Sequence, residues 1–98
     1  MPALTAKQIS VQLKAVPDWA LKSKTIRRTF KFEAFLTGIA FIQRIAKLAE
    51  KMNHHPDIDI RYNKITLSLT THDQGGLTKK DFALAGQCDE VFAKNSAS

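Results

Sequence analysis

Hydrophobic positions recur at helical spacing in three stretches of the chain. The first covers residues 5–16, the second residues 33–53, and the third runs from Thr78 to about Lys94. Thr5 and Thr78 are favourable N-caps, and each is followed three residues later by a side chain that can complete a capping box. The second stretch is apolar over more than one face. We therefore expect that helix to pack on a sheet and also to meet a partner subunit.

Between these helices the pattern changes to the two-residue alternation of β-strands. Residues 19–32 predict a hairpin that turns near residues 22–24, and residues 57–71 predict a second hairpin that turns at Asn63-Lys64. Asn63 suits that turn because asparagine tolerates positive φ. The resulting order is helix, two strands, helix, two strands, helix. It predicts an α+β fold in which helices cover one face of an antiparallel sheet.

Length and composition are those of one small globular domain spanning residues 1–98, with 44% apolar and 24% charged residues. No apolar run has the length of a membrane span, and the first residues lack the apolar core of a signal peptide. The single cysteine, Cys88, cannot form an intrachain disulfide, which fits a reducing compartment. The sequence therefore predicts a cytoplasmic protein that makes no use of a membrane.

The formal net charge of +6 raises the question of an anionic partner such as nucleic acid. The basic residues are spread along the whole chain and are dense only in residues 22–31. In a strand-like segment, such a cluster is more typical of a solvated sheet surface than of a binding stripe. Charge alone therefore makes nucleic acid an improbable partner.

The histidines are the residues best suited to chemistry. His54 and His55 follow the long helix, and His72 follows the second hairpin. Because a hairpin returns its end to its start, connectivity alone brings the three histidines together, where imidazole can exchange protons near neutral pH. Two other interpretations compete. The adjacent histidines could cap the helix C-terminus, or the three could bind zinc, although adjacent histidines rarely serve one tetrahedral ion.

Two carboxylates near these histidines also have two interpretations each. Glu50 lies four residues before His54, so it could orient that imidazole or form an ordinary surface ion pair. Asp81 could be a site carboxylate, although its position three residues after Thr78 is already explained by helix capping. Cys88 falls at a helix position that predicts burial and no reactivity.

Several motifs, in their order and spacing, resemble the pterin-4a-carbinolamine dehydratase family over roughly residues 19–92. They are Asn53-His54-His55-Pro56-Asp57, Tyr62-Asn63-Lys64, Leu69-Thr70-Thr71-His72-Asp73, Gly75-Gly76-Leu77-Thr78 and Asp81-Phe82. The resemblance implies a four-stranded antiparallel sheet with three helices on one face. It also implies dehydration of 4a-hydroxytetrahydropterin to quinonoid dihydropterin, which recycles a tetrahydropterin cofactor for other enzymes. The pterin would be the substrate, and neither a metal nor an organic cofactor is expected.

The resemblance also implies residue roles. His54 and His72 would be the acid–base pair, His55 would mainly hold the substrate, and Glu50 would support His54. The substrate would be bound by Asn53, His54, His55, Thr70, Thr71, His72, Asp73 and Asp81. Association as a homodimer or homotetramer would explain the wide apolar face of the long helix. The alternative function is a protein-interaction and dimerisation module that acts as a transcriptional coactivator.

Overall fold

The computed structural model describes residues 3–97, with side chains described as far as residue 94. The elements are helix α1 (Ala6–Leu13), strands β1 (Ala20–Lys22) and β2 (Thr25–Lys31), helix α2 (Phe35–Met52), strands β3 (Asp57–Arg61) and β4 (Lys64–Leu69), a short 3₁₀ helix (His72–Gln74) and helix α3 (Lys79–Ala97). The α+β fold class predicted from the sequence is confirmed. Within the described residues, no helix has both the length and the apolar character needed to cross a membrane.

Two helix boundaries differ from the predicted ones. The capping box at Thr5 forms as expected, with Gln8 N donating to the Thr5 hydroxyl and Thr5 N donating to the Gln8 side chain. However, α1 ends at Leu13 rather than Val16. The next three backbone amides donate to carbonyls three residues back, so the chain tightens into 3₁₀-type turns before Pro17. In contrast, α3 continues to Ala97, since no glycine or proline follows position 94 to stop it.

The sheet has the strand order β1-β2-β4-β3, and all neighbouring strands are antiparallel. The second hairpin turns at Tyr62-Asn63, between the paired residues Arg61 and Lys64. The positive φ predicted for Asn63 is wrong, because it is Tyr62 that has a φ of 55°. Asn63 instead fixes the end of the neighbouring strand. Its side-chain amide donates to the Phe32 carbonyl at 2.6 Å, and its own carbonyl accepts from Phe32 N at 2.9 Å.

The hydrophobic core lies between one face of the sheet and the helices. Alternate residues of β4, Ile65, Leu67 and Leu69, are fully buried on this face, whereas Thr66 and Ser68 between them lie on the opposite face, which is not covered by helices. Four phenylalanines fill the space beneath α2 and α3 with ring centroids 4.9–6.1 Å apart; they are Phe30, Phe32, Phe41 and Phe92. The helices therefore cover a single face of the sheet.

One charged residue, Arg28, lies on the core face of β2. Its guanidinium stacks 4.4 Å from the Phe30 ring centroid and binds Asp89 at 2.7 Å, and Asp89 also accepts a hydrogen bond from Trp19 Nε1 at 2.8 Å. These contacts satisfy the arginine in a mostly apolar environment. Cys88 is fully buried, as predicted, and burial raises the pKa of its thiol to about 12.

Helix α2 approaches the sheet most closely at Gly38. A Cβ atom at this position would lie 2.9 Å from Ile65 Cδ1 and 3.3 Å from Phe32 Cδ1. Gly86 of α3, in contrast, has no atom within 4 Å of the corresponding position. The contact at Gly38 sets the height of α2 above the sheet, and the C-terminal end of α2 leads directly into the histidine pair.

We expect Gly86→Ala to raise the free energy of unfolding by about 1 kcal/mol, because alanine favours helix over glycine. Gly38→Ala gains the same propensity but loses about 1–3 kcal/mol to overpacking against Ile65 and Phe32. Urea unfolding of both variants measures the difference. Equal stabilisation by the two substitutions would contradict the close contact at Gly38.

Candidate functional site

The backbone at the end of α2 separates the two adjacent histidines. Asn53 adopts a left-handed conformation with φ of 51°, His54 N donates to the Ala49 carbonyl at 3.0 Å, and Asn53 N donates to the Glu50 carbonyl at 3.2 Å. This pattern is a Schellman motif, in which asparagine is an accepted substitute for glycine. After this turn the His54 side chain is buried, whereas that of His55 remains exposed.

The second hairpin brings another part of the site to the same place. Strand β3 pairs with β4 in a register that opposes Asp57 to Ser68. Continuing this register by three residues on each strand places His54 opposite Thr71. Thr71 itself is buried and held by hydrogen bonds to Gly76 at 3.1 and 3.3 Å, which fold the loop containing His72 back on itself.

A fully buried carboxylate, Asp81, joins these two parts of the chain. Its Oδ1 lies 2.5 Å from His54 Nε2, and its Oδ2 accepts from the Thr71 hydroxyl at 2.8 Å and from Thr78 N at 2.9 Å. The Thr71 and Thr78 hydroxyls are also 2.9 Å apart, and Lys80 N donates to Thr78 Oγ1 at 3.3 Å. Asp81 therefore caps α3, as the sequence predicted, and at the same time binds the buried histidine.

The hydrogen bonds of Asp81 indicate which ring nitrogen of His54 carries its hydrogen. The Thr71 hydroxyl and Thr78 N both donate to Oδ2 of Asp81. The other oxygen, Oδ1, is the one that faces His54 Nε2. A carboxylate accepts hydrogen bonds, so we assign the ring hydrogen to Nε2 of His54. Within the described chain Nδ1 forms no hydrogen bond, and the side chain is 10% exposed. Nδ1 is thus the atom of His54 that can accept a proton from a bound molecule.

Glu50 does not contact His54, in contrast to the pairing that the resemblance implied. Its Oε2 lies 2.5 Å from Nε2 of His55, and both side chains are largely exposed. The reason is the left-handed turn at Asn53, which takes His54 out of the helical position four residues after Glu50. The predicted surface ion pair therefore exists, but with the other histidine.

The remaining predicted residues lie around this centre at different depths. His72 and Asp73 are exposed on the short 3₁₀ helix that follows Thr71 directly. The Thr70 hydroxyl donates to the Lys24 carbonyl at 2.6 Å, so this side chain is engaged with the β1–β2 turn. The structure thus brings His54, Thr71 and Asp81 into contact and places His72 one residue away along the chain.

Sequence reasoning missed the hydroxyl of Thr78 and the contact between Asp81 and His54. The capping box signal identified Thr78 and Asp81 correctly, but a capping carboxylate needs only one of its oxygens for that role. The second oxygen of Asp81 remains free for another partner, and this was the signal that could have revealed the contact with His54. Among the described residues there is no group of three or more histidine, cysteine or acidic side chains that could hold a metal ion.

Comparison with known proteins identifies the family of this chain. Residues 2–91 match the sequence profile of the family described as pterin 4 alpha carbinolamine dehydratase. The chain belongs to this family. A protein of Chloroflexus aurantiacus named "Putative pterin-4-alpha-carbinolamine dehydratase" is 55% identical over 92 residues, covering 94% of this chain and 99% of that protein. A Picosynechococcus protein of the same name is 49% identical, covering 90% of this chain and 96% of that protein.

Two solved structures share the fold. The crystal structure of a transcriptional coactivator/pterin dehydratase from Brucella melitensis superposes with a TM-score of 0.88 at 32% identity, covering 91% of this chain and 97% of that one. A pterin dehydratase-like protein described as a RuBisCO assembly factor in the alpha-carboxysome has a TM-score of 0.62 at 21% identity, covering 76% and 86%. The second similarity concerns the fold alone.

We expect Asp81→Asn to move the ring hydrogen of His54 from Nε2 to Nδ1. Because Thr78 N must still donate to the asparagine oxygen, the new amide NH₂ group faces Nε2, and the ring hydrogen moves to Nδ1. The same substitution should cost about 1–3 kcal/mol of stability through imperfect pairing of buried groups. Ring nitrogen chemical shifts of His54, measured by ¹⁵N NMR, report the tautomer directly.

Glu50→Gln is the matched control, because it makes the same chemical change beside the exposed His55. It should leave the His54 ring signals and the unfolding midpoint nearly unchanged. If Asp81→Asn kept the hydrogen on Nε2 of His54, the assigned direction of the hydrogen bonds would be wrong.

Proposed function

We propose that this protein dehydrates 4a-hydroxytetrahydropterin to quinonoid dihydropterin, with histidine side chains as the acid and base. Membership of the dehydratase family supports the reaction. The observation that carries the proposal is the buried His54–Asp81 pair, in which the carboxylate holds Nε2 and Nδ1 forms no hydrogen bond within the described chain. The route needs no electron transfer, because the substrate loses only water.

Loss of the 4a-hydroxyl requires two proton movements. A proton must reach the leaving oxygen as the C–O bond breaks, and another must leave a ring nitrogen so that the new double bond forms. We assign the base to His54 Nδ1 and the acid to His72, which is exposed on the loop beside Thr71. Each general acid–base step contributes roughly 10²–10⁴-fold in rate.

The polar groups around this pair would hold the substrate. In the proposal, His55 binds the pterin while its other ring nitrogen is fixed by Glu50. Asn53, Thr71 and Asp73 are the further groups assigned to substrate binding. The predicted contribution of Thr70 would come from its backbone, since its hydroxyl already donates a hydrogen bond to the Lys24 carbonyl.

We expect His54→Gln and His72→Ala each to lower the rate of quinonoid dihydropterin formation by about 10²–10⁴-fold. Glutamine at position 54 can still donate a hydrogen bond to Asp81, so the first variant should remain folded while losing proton exchange. The measurement follows product from freshly generated 4a-hydroxytetrahydropterin and subtracts the spontaneous rate. His55→Gln should raise KM more than it lowers kcat, because its assigned role is binding.

Lys47→Gln on α2 is a control variant with an exposed side chain outside the proposed site, and it should retain the full rate. A wild-type rate no faster than the spontaneous reaction would refute the dehydratase. Near-full activity in both His54→Gln and His72→Ala, with an active wild type, would refute only the acid–base assignment.

We further propose that the chain forms a homodimer or homotetramer through apolar residues left uncovered in the single subunit. Leu36 and Phe35 at the start of α2 are 74% and 43% exposed, and Ile60 on the edge strand β3 is 44% exposed. Large apolar side chains left exposed in a single subunit are candidates for an interaction surface. The same surface would serve a second role as an interaction module, which the coactivator description of the Brucella structure favours.

Leu36→Lys should therefore shift the protein toward smaller species in light scattering after size-exclusion chromatography. Val11→Lys is the matched control, because Val11 of α1 is also exposed, at 57%, but lies on another helix. An unchanged oligomer in Leu36→Lys, or an equal loss in Val11→Lys, would contradict an interface at the start of α2.

A further inference from the structure

The face of the sheet that is not covered by helices carries an unusual row of charges. The register opposes Lys31 of β2 to Lys64 of β4, and Lys64 in turn to Arg61 of β3. Three cations therefore occupy adjacent positions on three neighbouring strands. Like charges directly opposite one another destabilise a sheet, so this row opposes folding in the absence of a counter-charge.

The counter-charge available within the protein is small. Asp59 forms an ion pair with Arg61 at 3.1 Å on the exposed surface. Among the described residues, no ion pair is formed by Lys64 or Lys31, or by Arg27 at the other end of the same face. On this face Arg27, Lys31, Lys64 and Arg61 therefore outnumber the two carboxylates of β3, Asp57 and Asp59.

Three of these cations, Arg27, Arg61 and Lys64, line a concave depression of about 510 Å³ together with the carboxylate of Asp59. This volume is in the range of small-molecule sites in proteins, roughly 300–1,000 Å³. The floor between the charged ends is formed by the hydroxyls of Thr29, Thr66 and Ser68. The Thr29 and Thr66 oxygens are 2.8 Å apart, so one hydroxyl donates to the other and the second keeps its hydrogen for a ligand.

We propose that this depression is a second binding site, which takes the phosphate groups of a small multiply phosphorylated molecule. Lysine and arginine supply the charge that phosphate requires, and the hydroxyls supply neutral donors between them. Arg27 pairs with Ser68 of β4, and Lys64 lies four residues before Ser68 on that strand, a span of about 13 Å. That distance suits a ligand with separated negative charges better than a single ion.

A small ligand fits this face better than a nucleic acid chain does. Asp57 and Asp59 interrupt the basic residues along β3, so the cations form a short group rather than the continuous track that a phosphate backbone follows. No aromatic side chain on which bases could stack lies in the two rows of residues that cross the sheet here. The rows are Arg27, Ser68 and Asp57, and Thr29, Thr66 and Asp59. The site is also separate from the histidines, because β4 directs Thr66 and Ser68 away from the buried face that leads to Thr71.

The test uses inorganic tripolyphosphate as the probe, with orthophosphate and a single-stranded oligonucleotide as comparisons. Titration followed by ¹⁵N NMR should shift the amides of Thr29, Thr66 and Ser68, with tripolyphosphate binding at least tenfold more tightly than orthophosphate. Lys64→Gln removes the central cation of the row. It should weaken tripolyphosphate binding by tenfold or more and, without ligand, raise the melting temperature because the repulsion is relieved.

Lys47→Gln is the matched control, since it removes the same charge from α2 on the other side of the sheet. It should leave both tripolyphosphate binding and dehydratase activity unchanged. The proposal is overturned if the three amides do not shift, if Lys47→Gln weakens binding as much as Lys64→Gln, or if the oligonucleotide binds there while tripolyphosphate does not. Dehydratase activity in Lys64→Gln should equal that of the wild type, which separates this result from the proposed reaction.

Discussion

The structure depends above all on the buried carboxylate of Asp81. An isolated carboxylate in an apolar interior is strongly unfavourable, and it is tolerated only when donors surround it. Here the donors come from three places: His54 after α2, Thr71 after β4, and Thr78 at the start of α3. Each of these segments must dock for the carboxylate to be satisfied, so the interaction that completes the fold also builds the histidine site.

This arrangement gives two neighbouring histidines different chemical characters. His54 is buried and fixed by a carboxylate that is itself held by two further hydrogen bonds. His55 is bound to an exposed glutamate, where water competes for the same hydrogen bond. The difference originates in one backbone feature, the left-handed conformation of Asn53. Of these two neighbouring histidines, His54 is therefore the one whose ring is fixed by a buried carboxylate.

Local signals in the sequence were sufficient for the order of elements and for both hairpins. Periodicity and capping act over a few residues, so the strands and the cap at Thr5 could be predicted. The partner of His54 could not, because Asp81 is 27 residues away and capping already accounted for it. The pairing of Glu50 failed for a similar reason, since the helical spacing no longer holds beyond Asn53.

The two faces of the sheet are subject to different constraints. On the buried face, residues such as Ile65 and Leu67 are chosen by packing, and changes there affect the core. On the open face packing does not determine which side chain is present. Like charges placed opposite one another there lower stability, so their presence needs another explanation. Solubility requires only net charge, which can be placed anywhere on the surface. Aligning Lys31, Lys64 and Arg61 in one row costs stability without improving solubility, which is why a bound anion accounts for them better.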